Sequence, residues 1–198
     1  MLEAAISLIA AQLNQALRSA FQVSEDLAVV SSLVDVNGNT PASAGNRLVI
    51  FVANIERETV VAAQGARTAV ASADRDAIAQ TSAAVHLNLM LVFAANFGGN
   101  QYTEALKFIS ATVAFFQGRA LFDHHNSPDL DPRIERLVLE MVSLDLPELS
   151  NLWGILGGKY VPSVLYRMRM ISFDSGHITR LLPRVARTQG SVTGGMGT

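Results

Sequence analysis

The first part of the chain repeats apolar residues at intervals of three and four. Ile6, Ile9 and Leu13 belong to this series, and such spacing places apolar side chains on one face of a helix. We therefore predict a helix over residues 1–21 that packs on a sheet. Its outer face is predicted to carry Gln12, Asn14, Gln15 and Arg18.

Two further stretches have the same helical period. Residues 102–117 are predicted to form a helix whose buried stripe includes Leu106. Residues 147–156 predict a shorter helix, because Pro147 suits the first helical turn and Trp153 continues an apolar stripe. The glycine pair at 157–158 supplies the permissive backbone at which such a helix ends.

Alternating or continuous apolar runs predict five strands. In the last of them, Tyr166, Met168 and Met170 share one face while Arg167 and Arg169 share the other, which is typical of a half-buried strand. Strands and helices in this order predict an α+β fold with a single mixed or antiparallel sheet packed by helices. The predicted strands span residues 27–34, 46–58, 85–97, 134–144 and 164–170.

Two segments lack large side chains at a regular period, and they set the predicted domain limits. Residues 59–84 are dominated by alanine, so we interpret them as an arm or long connection that is helical in part. Residues 175–198 lose their periodicity and end in a glycine-rich sequence, which indicates a flexible C-terminal extension. Residues 1–174 are then predicted to form one α+β domain.

Charge is sparse along the whole sequence. Charged residues make up 16% of the chain, against about a quarter in typical soluble domains, and burial of surface between subunits would explain the low value. A net charge of −2 argues against a general nucleic-acid binder. The lack of cysteine excludes disulfides and thiolate metal clusters. Because no run approaches the roughly 20 apolar residues of a membrane helix, we expect the chain to fold in the cytoplasm.

One loop suggests a chemical role. The run FDHHNSPDLDP at residues 122–132 contains residue types that bind metals. Its prolines and short polar side chains also suit an ordinary turn-forming loop. A small metal-binding hydrolase or binding protein is therefore kept as an alternative function, using His124, His125, Asp129 and Asp131. The common nucleotide, zinc-protease and hydrolase motifs are absent, so no cofactor, catalytic residue or small-molecule substrate is predicted.

Charged residues at strand ends and in the two irregular segments form the candidate interface. Glu56, Arg57 and Glu58 follow an apolar strand, where the chain must meet water or a partner. Arg167 and Arg169 occupy the outer face of the last strand. The remaining candidates are the arginines of the alanine-rich segment and of the tail, Arg67, Arg75, Arg180, Arg184 and Arg187.

Several motifs, taken in order, resemble one known family. The N-terminal helix, VANIERE at 52–58, LNLMLVFAANF at 87–97 and ELSNLWGILGGKYVPSVLYRMRM at 148–170 carry the likeness. The helix YTEALKFISATVAFFQG and the loop SPDLDP extend it. The chain resembles the N-terminal domain of the cap, or tail-terminator, protein of contractile injection systems related to the antifeeding prophage and the virulence-cassette particles. The likeness runs from about Leu2 to Asp174.

This resemblance implies a structural protein rather than an enzyme. It implies a phage tail-terminator-like fold and a ring, expected to be hexameric, that closes the distal end of the inner tube and sheath. The implied partners are further copies of the chain and the tube and sheath proteins, without a cofactor or nucleic acid. The particle would be assembled in the cytoplasm and then be released or membrane-associated. Residues 59–84 depart from the family, where a link bearing proline and aromatic residues is expected.

Overall fold

The computed structural model describes residues 1–35, 37–58, 69–71, 77–81, 86–157, 160–172 and 178–183, with side chains described in 1–35, 37–58, 86–157 and 160–170. All helices and strands predicted from the sequence are present in these ranges, although the first strand is shorter than predicted. In chain order, the elements are α1 (Leu2–Phe21), β1 (Ala28–Val30), a 3₁₀ turn (Ala42–Ala44), β2 (Arg47–Arg57), β3 (Ala69–Ala71), β4 (Ala77–Thr81), β5 (His86–Asn96), α2 (Tyr102–Gly118), β6 (Leu121–Asp123), β7 (Ile134–Val142), α3 (Leu146–Ile155), β8 (Ser163–Ser172) and β9 (Ile178–Pro183).

Six of these strands form one mixed sheet, in the order β1-β2-β5-β8-β7-β6. Only β1 and β2 run parallel, and the other neighbours are antiparallel. The long strands β5 and β8 pair from His86 opposite Ile171 to Ala94 opposite Ser163. The predicted α+β class, with helices packed on a mixed sheet, is confirmed.

The two long helices cover one face of this sheet. Leu13 of α1, Phe116 of α2 and Phe93 of β5 are almost fully buried in the shared core. The Phe93 ring centroid lies 5.1 Å from that of Phe116 and 5.6 Å from that of Tyr166. Ring pairs at such distances add to the stabilisation that apolar burial provides. The predicted inward face of β8 is therefore correct.

The prediction that Asn14 lies on the outer face of α1 is wrong. Its side chain is only 5% exposed. Its amide nitrogen donates to the Ala28 carbonyl at 2.8 Å, and its oxygen accepts from the N–H groups of Leu27 and Ala28 at 2.9 and 2.7 Å. Because buried polar groups need hydrogen-bond partners, Asn14 is paired with the backbone around β1 and fastens that strand to α1.

The buried stripe of α2 also differs from the predicted one. Leu106, predicted to be inside, is exposed, whereas Thr112 is fully buried. The Thr112 hydroxyl donates to the Phe108 carbonyl one turn earlier, at 2.8 Å. This bond within the helix satisfies the hydroxyl, so that threonine can occupy a core position.

The outer edge of β2 is only partly covered. β1 pairs with Leu48, Val49 and Ile50 alone, and the register of β2 against β5 shifts between Val52 and Asn54. From Phe51 onward, this edge of β2 has no partner strand within the described parts of the chain.

A second sheet lies in the segments that carried no clear period. β3, β4 and β9 are antiparallel, with β4 in the middle, and Ala77–Thr81 pairs with Ile178–Pro183. The alanine-rich segment, predicted to be an arm or long connection that is helical in part, forms strands at its described residues, where backbone pairing overrides the helical preference of alanine. Similarly, β9 occupies part of the predicted flexible tail. No helix in the described ranges is long and apolar enough to cross a bilayer.

Candidate functional site

The face of the sheet opposite the two long helices carries the candidate site. The short helix α3 covers one end of this face. The Asp145 side chain accepts the N–H of Glu148 at 2.8 Å, and the Glu148 side chain accepts the N–H of Asp145 at 3.0 Å. This reciprocal cap, with Pro147 in the first turn, fixes where the helix begins.

Trp153 anchors α3 to the sheet. It is buried in a small cluster with Val92, Ala94 and Leu165. Its ring lies edge-on to Tyr160, with centroids 5.5 Å apart. This cluster occupies the end of the face near Ser163, and no described element covers the remainder, which we call the open part of the face.

Two rows of paired residues cross the open part of the face. One row contains Asn54, Met90, Arg167 and Glu140, and the next contains Glu56, Asn88, Arg169 and Val138. Residues opposite one another in a sheet project on the same side. The open face is therefore acidic on β2 and basic on β8. We call this surface the charged face.

Among the described residues, Arg169 has only a weak contact on the charged face. Its Nε lies 3.7 Å from Glu140 Oε2, beyond hydrogen-bond distance, and both side chains are nearly half exposed. The buried Asn88 side chain donates to Glu58 at 2.9 Å, and the exposed Asn54 side chain donates to Glu56 at 3.1 Å. Exposed pairs such as Arg169–Glu140 contribute little to stability, so these groups can exchange their contacts for those of a partner.

A small cavity opens at the far end of the charged face. It measures about 170 Å³, and Glu58, His86, Asn88, Arg136 and Arg169 supply its polar lining. The His86 Nδ1 atom is buried and has no hydrogen-bond partner in the described structure. Substrate pockets are usually about 300–1,000 Å³, so this cavity is better matched to a single side chain than to a small molecule.

An apolar surface lies on the outer side of α3. Leu146 is 80% exposed and Ile155 is 85% exposed. A groove of about 410 Å³ runs past Leu149, Trp153 and Tyr160. Leu146 also lines this groove, and an exposed apolar side chain beside an apolar groove is typical of protein interaction surfaces.

The structure brings four of the predicted interface residues to one surface. Glu56, Glu58, Arg167 and Arg169 share the charged face, whereas Arg57, opposite Leu87, projects from the other side of the sheet. Arg180 lies in β9, where only the backbone is described. The positions of Arg67, Arg75, Arg184 and Arg187 are outside the described residues.

Sequence reasoning missed several members of the charged face. Arg136 and Glu140 lie on β7, and His86 and Asn88 lie on β5. The signal was present in β7, because the alternation that turns Leu137 toward the core turns Arg136 away from it.

The histidine and aspartate loop is held by its own hydrogen bonds. The Asp131 carboxylate accepts from Arg133 Nε at 3.0 Å and Nη2 at 2.6 Å, and this pairing lowers the pKa of Asp131 far below its usual range. A ring nitrogen of His124 lies 2.8 Å from the Ile134 carbonyl. Across the described residues, no three metal-ligand side chains converge. The geometry therefore gives the metal-binding alternative no support.

Comparisons with known proteins agree with this architecture. One solved structure with the same fold is the sheath/tube terminator of the PVC extracellular contractile injection system in its extended state. It is 12% identical with a TM-score of 0.60, over 94% of this chain and 64% of that chain. Another is the tube-terminating cap of the anti-feeding prophage, which is 16% identical with a TM-score of 0.60, over 92% of this chain and 60% of that one.

These likenesses establish the fold, because identities this low do not carry function with them. The chain spans less than two thirds of the length of either solved terminator chain. No curated protein matches the sequence.

The family assignment comes from the sequence profile of a known domain. The family model described as the Pvc16 N-terminal domain matches residues 4–187. The match includes all three helices and every described strand, and it continues beyond the domain boundary predicted at residue 174. This chain belongs to the Pvc16 N-terminal domain family.

Proposed function

We propose that this chain caps a contractile, phage-tail-like injection particle by closing the distal end of its inner tube and sheath. The observation that carries this proposal is the shared fold with a sheath/tube terminator over 94% of the chain, at a TM-score of 0.60. The role is structural rather than enzymatic. The chain assembles in the cytoplasm and remains part of the particle, whether that particle is released or membrane-associated.

The cap is proposed to be a hexameric ring whose neighbours are tube and sheath subunits. Ring closure repeats one heterologous contact around an axis, so each copy needs two different surfaces. The exposed apolar side chains of α3 are proposed to form one of these surfaces, and the charged face is proposed to meet a tube or sheath subunit; both lie outside the main core. Arg57 is proposed to contribute from the opposite side of the sheet, and the arm and tail are proposed to contribute through Arg67, Arg75, Arg180, Arg184 and Arg187.

Particle length in a deletion strain tests the capping role. A strain without this chain should produce tubes of uncontrolled length when imaged by negative stain, because nothing stops polymerisation at the distal end. The full chain supplied in trans should restore a narrow length distribution. Tubes of normal length in the deletion strain would overturn the proposal.

Two truncations test the contribution of the arm and tail. Removing residues 59–84 removes β3 and β4, and removing residues 175–198 removes their partner β9. Because the six-stranded sheet has its own core, each truncated chain should fold but fail to restore particle length. Full restoration by both truncated chains would show that neither segment is needed for capping.

Light scattering tests the ring. The purified chain, alone or mixed with tube protein, should give a mass of about six subunits, as closed sixfold symmetry requires. A monomer under both conditions would contradict the ring.

A further inference from the structure

Three arginines form a stepped series on the charged face. Arg167 and Arg169 lie two residues apart on β8, opposite Glu140 and Val138 of β7. Arg136 lies one row further on but on the neighbouring strand β7, where it is paired with Ile171. A step of two residues along a strand is about 7 Å, and neighbouring strands are about 4.8 Å apart. The series therefore advances by one row at each step and shifts sideways by one strand at Arg136.

The side chains of these arginines have almost no partners among the described residues. By comparison, Arg119 bonds to Gln12 and Ser127, and Arg133 bonds to Asp131. The Arg136 and Arg167 side chains form no hydrogen bond or ion pair with any described residue, and Arg169 has only the 3.7 Å contact with Glu140. Within the described part of the chain, nothing therefore competes strongly with a second chain for these guanidinium groups.

The spacing specifies the shape of that second chain. Side chains on one side of an extended strand also repeat every two residues, or about 7 Å. Carboxylates at positions i and i+2 of an extended segment that lies along β8 would therefore meet Arg167 and Arg169, and the long Arg136 side chain would reach the carboxylate at i+4 from the neighbouring strand. Guanidinium and carboxylate groups form paired, charge-assisted hydrogen bonds. The cavity beside Arg136 and Arg169, with the unpartnered His86 nitrogen, could receive one of these carboxylates.

We propose that the arginine series binds an extended segment of another protein that carries acidic residues at alternate positions. This proposal rests on the capping role, because it supplies the chemistry by which a tube or sheath subunit would be held. Nucleic acid fits the surface less well. Neither paired row contains an aromatic side chain on which a base could stack.

Fluorescence anisotropy with the full-length chain tests the binding chemistry. The probe is a labelled synthetic peptide of alternating glutamate and valine. The comparison probes have the same glutamates in one block, lysine in place of glutamate, or a single-stranded thymidine oligonucleotide. The alternating peptide should bind most tightly and the lysine peptide should not bind. Equal binding of the alternating and block peptides, or tighter binding of the oligonucleotide, would overturn the proposal.

Substitutions on the charged face test its location. Arg167→Gln and Arg169→Gln should each lower the affinity for the alternating peptide by about two- to fivefold, which is the range expected for exposed ion pairs. The double variant Arg167→Glu/Arg169→Glu should abolish binding. Arg57→Gln is the matched control for the single variants, because it removes the same single charge from the other side of the sheet, and it should leave the affinity within about twofold. A loss in Arg57→Gln equal to that in Arg167→Gln and Arg169→Gln would refute the proposed location.

Glu140→Gln is expected to strengthen binding, a result that misfolding would not produce. This substitution removes the acid that competes for Arg169, so affinity for the alternating peptide should rise by about two- to fivefold. A loss of affinity would contradict the proposal. Self-association that depends on these arginines, and that the peptide does not displace, would identify a second copy as the occupant and overturn it. Peptide affinity and particle length are separate measurements, so the binding site and the capping role can fail independently.

Discussion

The three hydrogen bonds of the Asn14 side chain give the most direct test of how the fold is held together. In the variant Asn14→Ala, three hydrogen bonds between α1 and the backbone around β1 are lost. Each such bond contributes about 1 kcal/mol net, and a buried backbone group that is left without a partner costs at least as much. The N–H and carbonyl of Ala28 are buried at this position. The free energy of unfolding should therefore fall by about 3 kcal/mol.

Urea denaturation measures this loss. With a slope of about 1–3 kcal/mol per molar urea, the midpoint should fall by about 1–3 M. Gln15→Ala is the matched control, because Gln15 neighbours Asn14 on the same helix but is exposed, and its effect should stay within about 0.5 kcal/mol. Amide exchange at Leu27 and Ala28 should also accelerate in Asn14→Ala. A loss below about 1 kcal/mol, with protected amides, would refute this account of how β1 is attached.

Three further changes probe α3 and the aspartate loop. Asp145→Ala removes the reciprocal cap of α3 and should cost about 1 kcal/mol in urea denaturation, whereas an unchanged midpoint would show that the cap is dispensable. Trp153→Ala should lower the free energy of unfolding by about 3–5 kcal/mol. Trp153→Phe should lower it much less, because phenylalanine keeps most of the ring and removes the unpartnered indole N–H. Equal losses in the two variants would contradict this explanation. The hydrogen bonds from Arg133 lower the pKa of Asp131 in the folded state. The ionised carboxylate therefore stabilises the fold at pH values above the ordinary aspartate pKa of about 3.9. This stabilisation is lost as the pH falls toward the lower pKa of the folded state. The difference in urea midpoint between wild type and Asp131→Asn should be constant from about pH 7 to 5 and shrink below about pH 4, and a difference independent of pH would refute the assignment.

The elements that were predictable from the sequence are those with large side chains at a clear period. β8 alternates Tyr166, Met168 and Met170 with two arginines, so the sequence defines both the strand and its open face. β3 and β4 were not predictable, because alanine side chains are too small to mark a buried face. β4 pairs with β9, about a hundred residues later in the chain, and β3 pairs with β4.

Only part of the candidate site was predictable from the sequence, and the reason is similar. Arg167 and Arg169 stand out within one strand, whereas Arg136 joins them only through the register between β7 and β8. The position of Asn14 was mispredicted because a polar residue in a helix is ordinarily exposed, and its partners lie in a separate part of the chain. Local patterns identify faces, but they do not reveal which separate faces meet.

The edge of β2 beyond Phe51, which no described strand covers, has a consequence for how partners can attach. The Glu58 N–H bonds to the His86 carbonyl at 2.9 Å, so alternate residues such as Ile55 direct their N–H groups outward. That N–H is already bonded to the Asn54 side chain at 2.9 Å. A foreign strand would have to displace this amide and follow the irregular register at Val52. The edge thus resists open-ended strand addition. Such growth would be harmful in a protein whose proposed task is to stop the polymerisation of a tube.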